Sequence, residues 1–198
     1  MTGYRLIRFA DCAEKPWKNG GGTTREIAVF PPGSSMDDFI WRLSMARVEI
    51  SGAFSAFTGI DRLLAALEGS IELSGPAFHA KLVPSAPPFA FDGGAPVTGS
   101  PIGGPMLDCN AMARRGICEA SLRHYSPGET ISGIAPLSTP HSPVADAGEA
   151  DIALPETIII IALQPQSLAG HKLGRFDCLR ARFKSFSGVA IPVSYTHL

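Results

Sequence analysis

The chain has 198 residues, 45% hydrophobic and 18% charged, the composition of a folded globular protein and not of a disordered one. Its 17 Lys and Arg offset 18 Asp and Glu to a formal net charge of -1, so no positive field is available for a nucleic-acid backbone or an anionic membrane, and neither is expected as a partner. Cys12, Cys109, Cys118 and Cys178 form no C-x-x-C pair and no dense framework, which argues against a zinc ribbon or disulfide scaffold and fits reduced thiols in a cytoplasm.

Twenty-one glycines and 17 prolines punctuate short apolar runs along the whole chain, the pattern of an all-β protein. The N-terminal "MTGYRLIRFADCAEK" has no continuous apolar stretch of the kind that directs export, and a first strand is expected from Tyr4 to Phe9. Next comes "WKNGGGTTREI", residues 17–27. It is not a Walker loop, because Lys18 precedes the glycines, and the β-branched "TTREIAVF" after it opens a strand at Thr24 to Phe30, not a helix that could hold phosphate. Local sequence makes Asn19 to Gly22 a positive-φ turn.

A third strand is expected from Phe39 to Ile50. Phe39, Trp41, Leu43 and Met45 alternate with Arg42 and Ser44, which predicts one core face and one wet face. Arg62 to Leu67 and Ser70 to Leu73 read as a hairpin turned by Glu68-Gly69-Ser70. Arg62 shares a face with Leu64 and Ala66, and Asp61 points the other way, so the Arg62 fork needs another acceptor. Ala77 to Leu82 follows. Residues 84–105 hold six prolines and five glycines and are expected to be irregular, as is the run from Pro136 to Pro155. Further strands are expected at Met106 to Asn110, Ile117 to Tyr125, Glu156 to Leu163, Leu173 to Arg182 and Val189 to Pro192. Many short strands at this spacing favour a sandwich or barrel. The longest apolar run, Ile158 to Leu163, is too short to cross a bilayer. The closing "VSYTHL" matches the translation of a transposon mosaic-end sequencing adapter, so Val193 to Leu198 is set aside as a scar on a unit spanning residues 1–192.

Chemistry-bearing signatures are few. The five histidines show no H-x-H or H-x-x-H spacing, so no metal is expected, and His124 in "RHYSPGE" reads as a structural residue. There is no G-x-S-x-G elbow, and neither Cys109 nor Cys118 has an activating neighbour, so no catalytic residue and no cofactor are assigned. What remains is a set of polar groups, Arg25, Arg42, Arg62, Asn110, Arg114 and Arg115. Guanidinium forks of this kind suit carboxylates, although a surface arginine more often pairs with Asp or Glu.

Four blocks taken together, "PWKNGGGTTREIAVFP", "FIWRLSMARVEISGAFSAFTGIDRLLAALEGS", "FAFDGGAPVTGSPIGGPMLDCNAMARRG" and "LGRFDCLR", resemble the HutD/Ves family in order and spacing from Pro16 to Arg180. That resemblance implies a cupin-like, RmlC-type jelly-roll β-barrel of bicupin type, with two barrel halves meeting near residues 84–105 and no cupin metal motif. It also implies a role in the control of bacterial histidine utilisation, with a small carboxylate such as urocanate or N-formylglutamate bound in a barrel pocket. Arg62 matches the family's central arginine, and Trp17, Lys18, Asn19, Arg42 and Asn110 are placed with it at the ligand site. Asp108-Cys109-Asn110-Ala111-Met112 departs from the family's usual D-F-N-L-M in carrying Cys109 and Ala111. The expectation is a cytoplasmic binding protein, with a homodimer as the assembly considered. The alternative is a metal-independent enzyme acting on an imidazole or formylated amino-acid intermediate.

Overall fold

A computed structural model of the chain describes residues 4–124, 130–131, 156–183 and 191–192. These residues are almost entirely strands and turns, with one short 3₁₀ turn at Phe9–Asp11 and no helix long and apolar enough to cross a membrane. The chain groups into two compact units, Cys12–His124 and the pair of segments Met1–Asp11 with Tyr125–Leu198. Residues 84–105 lie wholly inside the first unit. The expected loop at Pro136 to Pro155 and the tail from Val193 lie outside the described residues.

In chain order the strands are β1 (Tyr4–Ile7), β2 (Glu14–Pro16), β3 (Gly22–Phe30), β4 (Trp41–Val48), β5 (Gly52–Ala53), β6 (Ile60–Gly75), β7 (Phe78–Leu82), β8 (Phe89–Asp92), β9 (Thr98–Arg114), β10 (Thr130–Ile131), β11 (Glu156–Ile161), β12 (Gln166–Leu168), β13 (His171–Leu173), β14 (Cys178–Phe183) and β15 (Ile191–Pro192). The larger unit is one antiparallel sheet ordered β2-β3-β4-β9-β6-β7, with β5 paired to β9 and β8 to β6. In the smaller unit β14 lies between β1 and β11, β12 and β13 form a hairpin, and β10 pairs with β15. Its buried cluster is Ala162, Leu168, Leu173 and Leu179, with Leu6 and Ile160 packed on it.

The long strands β6 and β9 organise the larger unit. The first half of β6 pairs with β9 on one edge and β8 on the other, and its second half pairs with β9 and β7. Between the halves the register slips at Ala66/Glu68 and again at Glu68/Ser70, and Gly69 sits at φ 67. The extra residue changes which side chains point inward. Arg62, Leu64 and Ala66 are buried before the bulge, and Ile71 and Leu73 after it. All but the arginine join Val48, Leu82, Phe91, Val97 and Met106 in one core cluster. Truncating Leu64 or Ile71, both fully buried, would cost about 2–5 kcal/mol by the usual scale for core cavities.

Three sequence expectations are corrected here. Glu68-Gly69-Ser70 is a bulge within one continuous strand and not a hairpin turn, because Gly69 lies against Met106 and Pro105 of β9, where an added Cβ would be 3.0 Å from each. Residues 84–105, read as irregular from their prolines and glycines, contain β8 and the first part of β9, since a strand that bends tolerates both residue types at its irregular positions. The strand expected at Ile117 to Tyr125 does not form over its described part: a turn at residues 115–117 ends β9 and residues 118–124 have no regular structure.

The glycine run behaves as its local chemistry dictates. The Gly20 amide donates to the Trp17 carbonyl at 3.0 Å, the Trp17 amide to the Gly22 carbonyl at 2.9 Å, and Gly20 takes φ 69. Asn19 Oδ1 accepts the Gly21 amide at 3.0 Å, which braces the turn between β2 and β3. Gly22 is needed for a different reason: a Cβ there would lie 2.1 Å from the Arg47 carbonyl oxygen on β4. The two positions therefore separate in a stability measurement. Gly20→Ala, which meets only backbone strain with open space around it, is expected to cost roughly 1–2 kcal/mol in urea unfolding. Gly22→Ala, which forces the two strands apart, is expected to cost at least about 3 kcal/mol or to abolish folding. Equal costs would show that the close approach of β3 and β4 carries no weight.

Candidate functional site

Three neighbouring strands present an inward face whose composition follows from register. Arg42 on β4, Met112 on β9 and Arg62 on β6 stand in one row; Ser44, Asn110 and Leu64 form the next; Ala46, Asp108 and Ala66 form the third. Alternation by two places all nine on the same side of the sheet. All but Leu64 and Ala66, which belong to the hydrophobic core, line a cavity of about 570 Å³ as its floor, a size suited to a small-molecule ligand. Trp17, Phe54 and Phe57 line it as well, the two phenylalanines beside the Arg62 guanidinium, and the exposed Lys15 and Lys18 stand at its border.

This placement corrects the reading of β4. Arg42 and Ser44, expected on a wet face, are buried at 8% and 1% exposure. Leu43 and Met45 on the opposite face are buried too, so both sides of the strand are covered. The polar side chains look into the cavity and not into bulk water.

All six residues singled out from the sequence, Trp17, Lys18, Asn19, Arg42, Arg62 and Asn110, line this one cavity. Their chemistry differs. The Trp17 indole donates to Thr24 Oγ1 at 2.7 Å and meets Phe54 edge to face, so it is fixed as a wall. The Asn19 oxygen is occupied by the turn. Arg42 is neutralised inside the protein, Nε donating to Glu26 Oε2 at 2.9 Å and Nη1 to Ser44 Oγ at 3.1 Å. The slip of register between Glu26 and Ala28 on β3 brings Glu26 opposite Ser44, within reach of that guanidinium.

Arg62 is in the opposite condition. It is buried to 5% exposure, yet makes only two long hydrogen bonds, Nε to Asn110 Oδ1 and Nη1 to the Ser55 carbonyl, each at 3.4 Å. Nη2 has no partner among the described residues. Phe91, Phe54 and Phe57 surround the guanidinium carbon, with ring centroids at 4.9, 5.3 and 5.9 Å, so part of its charge is held by cation–π attraction. Burial pulls its pKa down to about 10, with Asp108 opposing and Arg42 reinforcing the shift, which leaves it charged at neutral pH.

Asp108 is the residue that sequence reasoning missed. It is 2% exposed, and its one hydrogen bond is from the Ala46 amide to Oδ1 at 3.2 Å. No cation reaches it within salt-bridge distance among the described residues. Burial raises its pKa to about 7, against the pull of Arg62 and the Ala46 amide. The signal was present in "LDCNAMA", where Asp108, Asn110 and Met112 alternate with Cys109 and Ala111.

The remaining arginines have structural employment. Arg25 bridges to Glu14 and to the Cys12 carbonyl, Arg114 holds the Phe39 and Asp37 carbonyls, and Arg115 pairs with Asp61 and Asp92. Among the described residues no three His, Cys, Asp or Glu side chains converge as metal ligands would.

The buried carboxyl has a measurable consequence for stability. Its folded pKa of about 7 lies above the ordinary value of 3.8 in the unfolded chain, so the native state binds the proton more tightly. That contribution is complete below about pH 4, is lost as pH rises to about 7, and stays lost above. Asp108→Asn removes the titrating group. In urea unfolding from pH 4 to 8.5 the variant is expected to gain on the parent by a few kcal/mol across that window, then to keep a constant margin. A margin independent of pH would place the carboxyl in an unperturbed environment.

Comparison with known proteins agrees with this architecture. The family model described as HutD matches residues 9–185. An uncharacterised 21.2 kDa protein in the hutC 3' region of Pseudomonas putida is 33% identical over 192 residues, covering 91% of this chain and 87% of that one. Protein Ves of Citrobacter koseri is 39% identical over 122 residues, 59% of this chain and 63% of its own. Among solved structures, HutD from Pseudomonas fluorescens SBW25, described for a formate condition, superposes with a TM-score of 0.78 at 27% identity, covering 98% of this chain and 94% of that one. A conserved protein of unknown function from Pseudomonas aeruginosa PAO1 gives 0.72 at 28% identity, covering 97% and 93%. With the family's pattern matched over most of the chain and an antiparallel, cupin-like β fold around the site, the chain belongs to the HutD family.

Proposed function

We propose that the cavity of the larger unit binds a small carboxylate, and that the protein acts in the cytoplasm as a sensor or governor of histidine utilisation. The observation that carries the binding reading is Arg62: a buried guanidinium with two long hydrogen bonds and an Nη2 that meets no partner among the described residues, facing a cavity of about 570 Å³. A fork left unsatisfied in a low-dielectric site is matched by a planar anion that accepts two parallel hydrogen bonds. The link to histidine utilisation is supported by the Pseudomonas putida relative in the hutC 3' region. Urocanate and N-formylglutamate are the ligands to try first. Asp108 supports a second reading, an acid or base acting on such a molecule, since its carboxyl faces the same cavity with a pKa of about 7.

Calorimetric titration decides between them. The parent is expected to bind at least one of the two acids and return it unchanged; chemical conversion on standing would support the enzyme. Arg62→Ala is expected to weaken binding about ten- to a hundredfold, the loss of one charge-assisted pair worth roughly 1.5–3 kcal/mol, with the circular dichroism spectrum unchanged. Arg62→Lys is expected to recover only part of that affinity, because a point charge lacks the fork. Equal affinity in all three proteins would remove Arg62 from the site.

A further inference from the structure

We propose that Asp108 acts as a neutral acid in the occupied cavity, donating a hydrogen bond from Oδ2 to the anion held by Arg62, so that the site takes up one proton with each anion. The proposal rests on the carboxylate-binding reading and specifies its second recognition group.

The geometry comes from the register. Arg62 stands in the Met112 row, but its Nε reaches Asn110, so its head group lies over the middle row. Asp108 is the next inward residue on β9, and such same-face neighbours are about 7 Å apart along a strand. On either side of Asp108 the row carries only the small Ala46 and Ala66, and Asp108 itself lines the cavity. Oδ1 is held by the Ala46 amide, and Oδ2 has no partner among the described residues. A molecule a few bonds long, with its carboxylate on Arg62, therefore brings its other end to Oδ2.

Charge decides what Oδ2 must be. Arg42 is neutralised by Glu26, so its charge is already matched. Lys15 and Lys18 stand at the border and not on the floor; Asn110 and Ser44 carry no charge. That leaves Arg62 as the floor's one uncompensated cation, facing Asp108 across a gap too long for an ion pair. An arriving carboxylate would put two anions beside one buried cation. Protonation of Asp108 removes one of the negative charges and turns a repulsion into a hydrogen bond. Burial already favours that form, raising the pKa to about 7 in the empty site, and a neighbouring anion raises it further. Ligands with a second acceptor, a carbonyl or another carboxylate, are thereby preferred over simple monocarboxylates.

The experiment is calorimetric titration of the full chain with N-formylglutamate and with acetate from pH 6 to 9, in buffers of differing ionisation enthalpy. Both probes stay ionised throughout this range. The parent is expected to take up close to one proton per anion at pH 8, to lose affinity by up to about tenfold per pH unit above 7, and to prefer the longer probe. Asp108→Asn keeps an N–H donor without a titrating proton. It is expected to bind N-formylglutamate within about threefold of the parent at pH 6, with no proton uptake and no pH dependence; Asp108→Ala is expected to bind about tenfold more weakly at that pH. Anion binding by the parent without proton uptake, or proton uptake that survives in Asp108→Asn, overturns the proposal and leaves carboxylate binding standing. No heat from N-formylglutamate, acetate or urocanate at pH 6 overturns carboxylate binding itself, and the proton step with it.

Discussion

The pairing of β6 with β9 is the constraint on which the larger unit depends. These two strands supply the middle and one side of the cavity floor, carry β4, β5, β7 and β8 on their outer edges, and share a bulge that changes inward parity halfway along. A slip of one residue would turn Arg62 and Leu64 outward and bring Asp61 and Leu63 in. The register is defended from both faces. Inside, Leu64, Ile71, Leu73 and Met106 are fully buried. Outside, Asp61 and Asp92, paired residues on β6 and β8, are both held by Arg115 just beyond the end of β9. The aspartate beside Arg62 in sequence is thus occupied elsewhere.

That separation of neighbours explains how a cavity can hold charge without collapsing. A buried guanidinium and a buried carboxylate in contact would close on each other into an ion pair. Here Arg62 and Asp108 are placed in different rows of adjacent strands and feel each other only through the field. Arg42 shows the other outcome in the same sheet. The β3 bulge delivers Glu26 to it, and it becomes a wall. Two arginines on the same row thus differ in charge balance because Arg42 has been given a carboxylate and Arg62 meets none within ion-pair distance among the described residues.

Much of this was legible in the sequence where local rules suffice. Alternation placed Arg42 with Ser44, and Arg62 with Leu64 and Ala66, and the glycine run after Asn19 forms its turn from contacts within six residues. What local rules could not reach were features set by partners distant in the chain. Gly69 looks like a hairpin turn until β9 is laid beside it. The polar face of "WRLSMARV" looks wet until Trp17, Phe54 and Phe57, distant in the chain, are found lining the same cavity. Asp108 stayed hidden for the same reason: an aspartate alternating with apolar residues ordinarily marks the solvent side of a strand, and only the covered face makes it a buried acid.

The cost of the arrangement falls on Arg62. Three phenylalanine rings and two long hydrogen bonds replace only part of the hydration that a guanidinium loses on burial, and its lowered pKa reports the shortfall. A hydrophobic residue of similar volume would pack among those rings without that deficit. Lys15 and Lys18, bordering the cavity, can draw an anion inward but impose little geometry on it, being hydrated point charges on long stems. The buried fork does the reverse: it is fixed in direction by the rings and by Asn110, and it gains most from a partner that replaces its missing hydrogen bonds. Attraction at the border and unsatisfied, oriented donors on the floor are the features by which the proposed carboxylate would be selected, through shape and acceptor count.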